Sequence, residues 1–393
     1  MKTKLATCQK MIFILLVIVG CFFISACSNN QTIAFNSPSI DTTALAKEVR
    51  LDSFDLLEEN FDHYATYFTV EEFEDYVDDF KGSFGGVGIY MTTTKESDYV
   101  QVFSVMPDEP AFKAGLQPGD YIWAVDGKST KGMTLDEVSL AVKGEIGTQV
   151  TLTIQHEDGT KKDVEITRDL IDVKSVDGFF LQDHPDIAYF IIYDFAENTP
   201  DKFMEAYNEL ASERKDQAMP FSGIILDLRN NGGGSFYAAL SIADLFVNSG
   251  EVLVWQETKE GLINQVSSDG QLMGVPLVCL QNQWSASASE VLLGALKDYQ
   301  VATLVGETSY GKGITQLSYS LASGAAIRFT DSRYLTPLKN DIHGIGITPD
   351  YAVSWPEDKS LMDIYLADEK NDPQLQKAVQ VLEDKIAAQT QSK

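Results

Sequence analysis

Cysteine and histidine are scarce. The 393 residues hold four of each, scattered without a CxxC, an HExxH or any other metal-ligand spacing. That scarcity argues against a structural zinc site and against a disulfide scaffold. Basic residues are also few, 30 Lys and Arg against 58 Asp and Glu, giving a net charge of −28. A chain so acidic is a poor electrostatic partner for nucleic acid or for an anionic membrane surface. Only one long apolar run occurs, Met11 to Ile24, and it falls short of the roughly 20 residues that span a bilayer. No internal repeat or low-complexity stretch is present. What remains is ordinary globular composition, 44% apolar and 22% charged, with length for two or three domains of about 150 residues.

The apolar run follows Lys2, Lys4 and Lys10, the pattern of a signal peptide. It ends in Ile24-Ser25-Ala26-Cys27, which resembles the bacterial lipobox and implies cleavage after residue 26 and lipidation of Cys27. Ile18-Val19-Gly20-Cys21 fits the same pattern. Cys27 is preferred because polar Ser28-Asn29-Asn30-Gln31 follows it, whereas Phe22-Phe23-Ile24 follows Cys21. The alternative is an uncleaved signal anchor. Either reading puts the bulk of the chain outside the cytoplasm, held to the bacterial cell envelope. Removing residues 1–26 takes away three Lys and no acid, so −28 becomes −31 and a lipid, not charge, must supply membrane attachment. Cys8 and Cys21 leave with the signal. Cys279, inside the apolar run Val275 to Leu280, reads as a small buried hydrophobe.

Beyond a polar tether over 27–40, residues 41–83 read as helical. Leu45, Val49, Phe54, Leu57 and Phe61 recur at helical spacing, and an acidic helix is expected over Val70 to Phe80. Its carboxylates lack the spacing of a calcium loop and read as a solvated face. From 84 to 168 the pattern turns to short strands and Gly-rich turns: Gly85-Gly86-Val87-Gly88-Ile89-Tyr90, Tyr99 to Phe103, Tyr121 to Val125 before Asp126-Gly127, a short helix Leu135 to Val142, and a hairpin around Asp158-Gly159. Residues 172–356 alternate strands and helices, which suggests an α/β core. A terminal amphipathic helix over Gln374 to Ala387 lies in the helical segment 357–393, with Leu375, Ala378, Val379, Leu382 and Ile386 on one face.

Three core segments carry reactive chemistry. Asp227-Leu228-Arg229-Asn230-Asn231-Gly232-Gly233-Gly234 follows a strand and precedes a helix, so its backbone can approach a ligand closely; alone it is a phosphate loop or a tight turn. Trp284-Ser285-Ala286-Ser287-Ala288-Ser289-Glu290 sets serines among small residues at a strand-to-helix turn, which exposes a hydroxyl and offers N–H groups to an oxyanion. Plain helix capping by Ser and Glu290 is the competing reading. Gly306 to Gln316 imitates a Walker A spacing, but Gly313 stands where Ser or Thr must hold magnesium, which excludes nucleotide binding. Lys312 between two glycines reads better as a desolvated amine able to take a proton from a serine, with Gln316 four residues on to orient it.

The 84–168 segment resembles a PDZ domain of the bacterial protease type. The resemblance implies that a peptide adds as a strand beside Val87–Met91, its terminal carboxylate held by N–H groups of the Gly85, Gly86, Val87, Gly88 and Ile89 segment. A domain that merely spaces or gates its neighbour is the alternative. S-A-S-A-S-E, G-E-T-S-Y-G-K-G-I-T-Q, D-L-R-N-N-G-G-G and His343-Gly344-Ile345-Gly346-Ile347-Thr348-Pro349-Asp350, with Asp62-His63-Tyr64 ahead of them, are together similar to the carboxyl-terminal processing proteases. That family implies an α/β multidomain protein: an α/β serine protease core, an inserted PDZ-like β domain and a helical N-terminal segment.

By position, the resemblance makes Ser287 the nucleophile, Lys312 the general base and Gln316 its orienting partner. The N–H groups of Ala288 and Gly233 form the oxyanion hole, Asp298 has a structural or helix-end role, and no metal or cofactor is required. Trp284 departs from the small residue usual before S-A-S-A-S and bears on substrate preference. His343 is read as structural, since no GxSxG elbow accompanies it. The implied activity is that of a lipid-anchored serine endopeptidase that grips polypeptide C-termini, with a homodimer or an adaptor lipoprotein as compatible partners. A catalytically silent PDZ adaptor is the rival from another class. A glycan- or nucleotide-processing enzyme finds neither paired carboxylates nor a complete P-loop.

Overall fold

The computed structural model describes residues 62–391 except 95–96, 157–158, 215–220, 259–260, 268–273 and 360. The signal peptide, lipobox, tether and first expected helix lie outside the described residues, as does Asp158 of the expected hairpin turn. Among the described residues no helix is long and apolar enough to cross a membrane.

The described chain opens with β1 (Thr66–Phe68) and the helix α1 (Val70–Lys81), capped reciprocally by Thr69 and Glu72. β2 (Ser83–Gly86) leads into a β domain made of β3 (Ile89–Thr92), β4 (Gln101–Val105), α2 (Pro110–Lys113), β5 (Tyr121–Val125), β6 (Lys128–Ser129), α3 (Leu135–Val142), β7 (Gln149–Gln155) and β8 (Lys161–Thr167). Strand order is β3-β4-β5-β7-β8, with β6 on β5. β7 reads Gln-Val-Thr-Leu-Thr-Ile-Gln, and its Val150, Leu152 and Ile154 all point into a core shared with Val102, Ile122, Val138 and Val142. β9 (Asp169–Asp172) then returns antiparallel to β2, so the incoming and outgoing strands pair. Closing a domain's two ends together this way lets it sit as an insertion in a larger fold.

The core continues with β10 (Val176–Phe180), β11 (Ile187–Ile192), α4 (Thr199–Glu213), β12 (Gly223–Asp227), α5 (Phe236–Phe246), β13 (Val252–Thr258), β14 (Gly261–Ser267), β15 (Leu277–Gln281), α6 (Ala288–Asp298) and β16 (Ala302–Gly306). β17 (Ile314–Ser320), β18 (Ala326–Leu335), β19 (Tyr351–Ala352), a 3-10 turn (Leu361–Leu366) and α7 (Pro373–Gln391) complete it. One sheet runs β10-β11-β12-β15-β16-β19 and is parallel except for β10.

Its central strands β11, β12, β15 and β16 are mostly apolar and buried because both faces are covered. Ala188, Phe190, Ile224, Leu226, Leu277 and Cys279 pack toward α4, α5 and α6. Their neighbours Tyr189, Ile191, Ile225, Val278 and Leu280 pack under Leu375, Ala378, Val379 and Leu382 of α7. A second sheet, β1-β18-β13-β14 with β17 on β18, was not anticipated from the sequence pattern.

Register fixes where the loops emerge. Asp227 pairs with Leu280, Leu280 with Val305, and Gln281 with Gly306. The segments 228–235, 282–287 and 307–313 therefore leave adjacent carboxyl ends of parallel strands, where open α/β sheets place their sites. Gly306 is required at that edge. Its φ is +127°, and a Cβ there would stand 2.0 Å from the Gln281 carbonyl oxygen.

Truncating the fully buried Phe190 to Ala is expected to cost about 3–5 kcal/mol of unfolding free energy in a denaturant titration, and a loss below about 1 kcal/mol contradicts this packing.

Candidate active site

The three serines of the 285–289 segment separate by what they touch. Ser285 and Ser289 are fully buried. Ser285 Oγ donates to the Leu228 carbonyl at 2.8 Å and accepts the Asn282 N–H at 2.9 Å, while Ser289 Oγ donates to the Asn231 carbonyl at 2.9 Å. Both staple this loop to the 228–234 loop. Ser287 alone is partly exposed, at the N-cap of α6 with φ 55° and ψ −114°. A non-glycine residue holds such a conformation only when its surroundings impose it, and turns of this kind present a nucleophile.

Glu290 imposes it. The carboxylate is fully buried and accepts four hydrogen bonds, from Ser287 N at 2.9 Å, Lys312 N at 2.8 Å, Gly311 N at 2.7 Å and Ser309 Oγ at 2.6 Å. The Ser287 bond is half of a capping box; the other three come from the 307–313 loop. One carboxylate thus ties the main chain of Ser287 to that of Lys312. The buried Tyr334 hydroxyl makes a second tie, 2.6 Å from the Lys312 carbonyl oxygen and 2.9 Å from that of Ser287. Burial pushes the Tyr334 hydroxyl well above its ordinary range, so it remains a donor. Behind the loop lies the His343–Ile347 turn, with Gly344 N on the Gly311 carbonyl at 2.8 Å and Ile347 N on Ser309 Oγ at 2.6 Å.

Lys312 is half-buried. Burial first, and then the charge of Arg328, lower its ammonium below the ordinary lysine value, with no carboxylate among the described residues offsetting them. Gln316 does not orient this amine: its Nε2 donates to the Tyr64 carbonyl at 2.7 Å. The physical reason is that Lys312 lies ahead of β17, which begins at Ile314, so strand alternation does not carry residues 312 and 316 to one face.

Gly233 lies against Ser287. With φ +108°, a Cβ added to it would come within 2.8 Å of Ser287 Cβ and 3.0 Å of the Ala288 nitrogen. Its own N–H, however, donates to Asn231 Oδ1 at 2.9 Å and is occupied. The N–H groups of Gly232 and Ala288 have no acceptor among the described residues. Asn231 locks the arrangement, donating through Nδ2 to Ile192 O at 2.8 Å and accepting Ala286 N at 3.0 Å.

Asp298 holds the 338–340 turn, accepting Leu338 N at 2.8 Å, and Trp284 is about half exposed. In the β domain, Gly85 and Gly86 lie in β2 paired to β9 and not in a free loop. The Gly85 carbonyl accepts Gly144 N at 3.0 Å, just past α3. That leaves Val87, Gly88 and Ile89 of the expected carboxylate-binding segment outside β2. Among the described residues β3 pairs with β4 alone, which leaves Ile89–Thr92 as the sheet's edge. Among the described residues no group of His, Cys, Asp and Glu could hold a metal ion.

Sequence reasoning missed Glu290 as more than a cap, and missed Tyr334 and Asn231. The Ser-x-x-Glu spacing carried the first, and the Asn-Asn-Gly-Gly-Gly run carried the third. Nothing near Tyr334 marks it. Replacing Glu290 with Gln keeps the volume and removes the charge that strengthens these bonds. The Gly311 and Lys312 amides are then expected to exchange with deuterium about 10-fold faster or more, and unchanged protection contradicts the anchoring role.

Residues 186–353 match peptidase family S41 and residues 101–156 match the PDZ domain. A CtpA-like serine protease of Staphylococcus saprophyticus is 39% identical over 76% of this chain and 59% of its own length. The carboxy-terminal-processing protease of Bartonella bacilliformis is 37% identical over 76% of this chain and 68% of its own. The chain spans about 60% of the length of the staphylococcal relatives it matches. Among solved structures, the photosystem II D1 C-terminal processing protease aligns over 83% of this chain and 86% of its own, with 30% identity and a TM-score of 0.48. With a protease core and a PDZ domain matched in one polypeptide, and a relative covered over two thirds of its length, the chain belongs to the carboxy-terminal-processing serine proteases of peptidase family S41.

Proposed function

We propose that this chain is an endopeptidase that captures polypeptide C-terminal tails on its PDZ domain and cleaves through a Ser287–Lys312 dyad and an acyl-enzyme. The observation that carries the reading is the Glu290 carboxylate, which bonds the N–H groups of Ser287 and Lys312 at 2.9 and 2.8 Å and so gives nucleophile and base a common anchor. Neutral Lys312 takes the Ser287 proton as Oγ bonds to the scissile carbonyl carbon. The oxyanion that forms is held by the Ala288 N–H and an N–H of the Gly232–Gly234 segment. Collapse breaks the C–N bond, and the Lys312 ammonium returns its proton to the leaving amine. Water then adds to the ester, giving its proton to Lys312, and the acyl product leaves as Ser287 regains its hydrogen.

The tail would add as a strand along the free edge of β3, its carboxylate near Val87 and Gly88. We also propose that the mature protein is extracytoplasmic and lipid-anchored at Cys27.

Ser287→Ala and Lys312→Ala are expected to abolish cleavage of an unfolded protein with an apolar C-terminus, assayed by mass spectrometry of the products. A wild type that cleaves no faster than either variant makes the chain a PDZ adaptor instead. The pH dependence has a definite sign. Only neutral Lys312 is a base, so kcat/KM should rise with pH through a lysine pKa below the ordinary 10.5 and level off above it. Arg328→Gln removes a like charge and should move that rising limb to higher pH; no movement contradicts the assignment of the limb to Lys312.

A further inference from the structure

The 227–234 loop is built around the largest fully buried side chain of the described residues, Arg229. Its Nε lies 3.0 Å from both carboxylate oxygens of Asp227, and Nη2 donates to Asp227 Oδ2 at 2.6 Å. Tyr189 donates its hydroxyl to the same carboxylate. That half of the guanidinium is satisfied within the sheet. Nη1 is satisfied from elsewhere: Asp372 Oδ2 at 2.7 Å and Gln374 Oε1 at 3.1 Å, at the start of α7. Asp372 is itself buried, and its other oxygen caps α7 through Leu375 N at 2.8 Å. Gln374 Nε2 in turn donates to the Val353 carbonyl at 2.8 Å. The same C-terminal stretch touches the loop again, where Asn230 Nδ2 donates to the Leu361 carbonyl at 3.3 Å.

We infer that Asp372, seconded by Gln374, is a positioning residue for the oxyanion-side loop, so that the segment after the protease core completes the catalytic unit. Without the Asp372 charge, Nη1 is a buried donor short of its partner, and a guanidinium so placed must shift or admit water. Arg229 cannot shift alone. Leu228 is bonded to Ser285 Oγ, and Asn231 holds Gly233 N, Ala286 N and Ser289 Oγ. Displacement of this loop is displacement of the N–H groups facing Ser287, and a misplacement of about 1 Å costs on the order of 100-fold in rate.

This rests on Ser287 as the nucleophile, and active-site titration with a fluorophosphonate tests that separately: equal labelling of wild type and Ser287→Ala sinks the dyad. With Ser287 labelled, full-length Asp372→Asn is the test, since Asn still caps a helix and fills the same space. Per titrated site, kcat should fall about 30–100-fold with KM within about threefold. A peptide boronate, which forms a tetrahedral adduct, should weaken by a similar factor while a tail peptide binds the PDZ domain unchanged. Asp372→Glu, which keeps the charge, should recover part of the loss. A kcat per site within about twofold of wild type, or a loss confined to KM, overturns the inference. Should Asp372→Asn fail to fold, Gln374→Met must show the same split at about 3–10-fold, and a folded Gln374→Met equal to wild type overturns it as well.

Discussion

One buried carboxylate organises the catalytic end of this molecule. Glu290 has no cation beside it in its hydrogen-bond set; four N–H and O–H donors take the place of a counter-ion. Burying a charge costs several kcal/mol, and only a full complement of charge-assisted bonds offsets that cost. Three of the four donors belong to the 307–313 loop, so Glu290 is satisfied only while that loop is closed against the Ser287 turn. Ser287 is bent into its unusual backbone conformation by the same group. The conformational cost at Ser287 and the desolvation cost at Glu290 are met by one arrangement, which exists only when serine and lysine loops are together.

The fold makes that arrangement available. Three parallel strands end in register at the sheet's carboxyl edge, and the loops they release are stapled by side chains that do no chemistry. Ser285, Ser289 and Asn231 spend their side-chain polar atoms on neighbouring backbone, and Asn282 bonds the backbone and the Asn230 side chain, which leaves Ser287 as the partly exposed member of the run of serines. The second sheet contributes Tyr334 from β18, whose hydroxyl lies against the carbonyls of both Ser287 and Lys312. The β domain enters and leaves through the β2–β9 ribbon and has a buried cluster of its own, separate from that of the sheet.

Much of this was legible in the sequence. β5 and α3 span the residues expected of them, Tyr121 to Val125 and Leu135 to Val142, and Asp126-Gly127 is the local signal that closes β5. The parallel sheet was legible as an alternation of strands and helices over 172–356, since both faces of its central strands are buried. β17 and β18 were not. Leu317 and Tyr319 are exposed, and β18 mixes Arg328, Asp331 and Arg333 with apolar residues, so neither run shows a buried face. Ser287 and Lys312 stood out through motif resemblance. The role of Tyr334, 47 residues from Ser287 and 22 from Lys312, comes from strand pairing alone. Gln316 differs for the opposite reason: the alternation of a strand does not reach back to Lys312, because β17 begins only at Ile314.

The most direct measurement is a crystal structure of the protein with a peptide boronate in its active site. Boron bonded to Ser287 Oγ is expected, with one boronate oxygen within hydrogen-bond distance of the Ala288 N–H, Lys312 Nζ beside the Ser287 oxygen, and the four bonds to Glu290 retained. A boronate bonded elsewhere, or one on Ser287 with Lys312 turned to solvent and the Glu290 bonds broken, would contradict the shared anchor on which everything above depends.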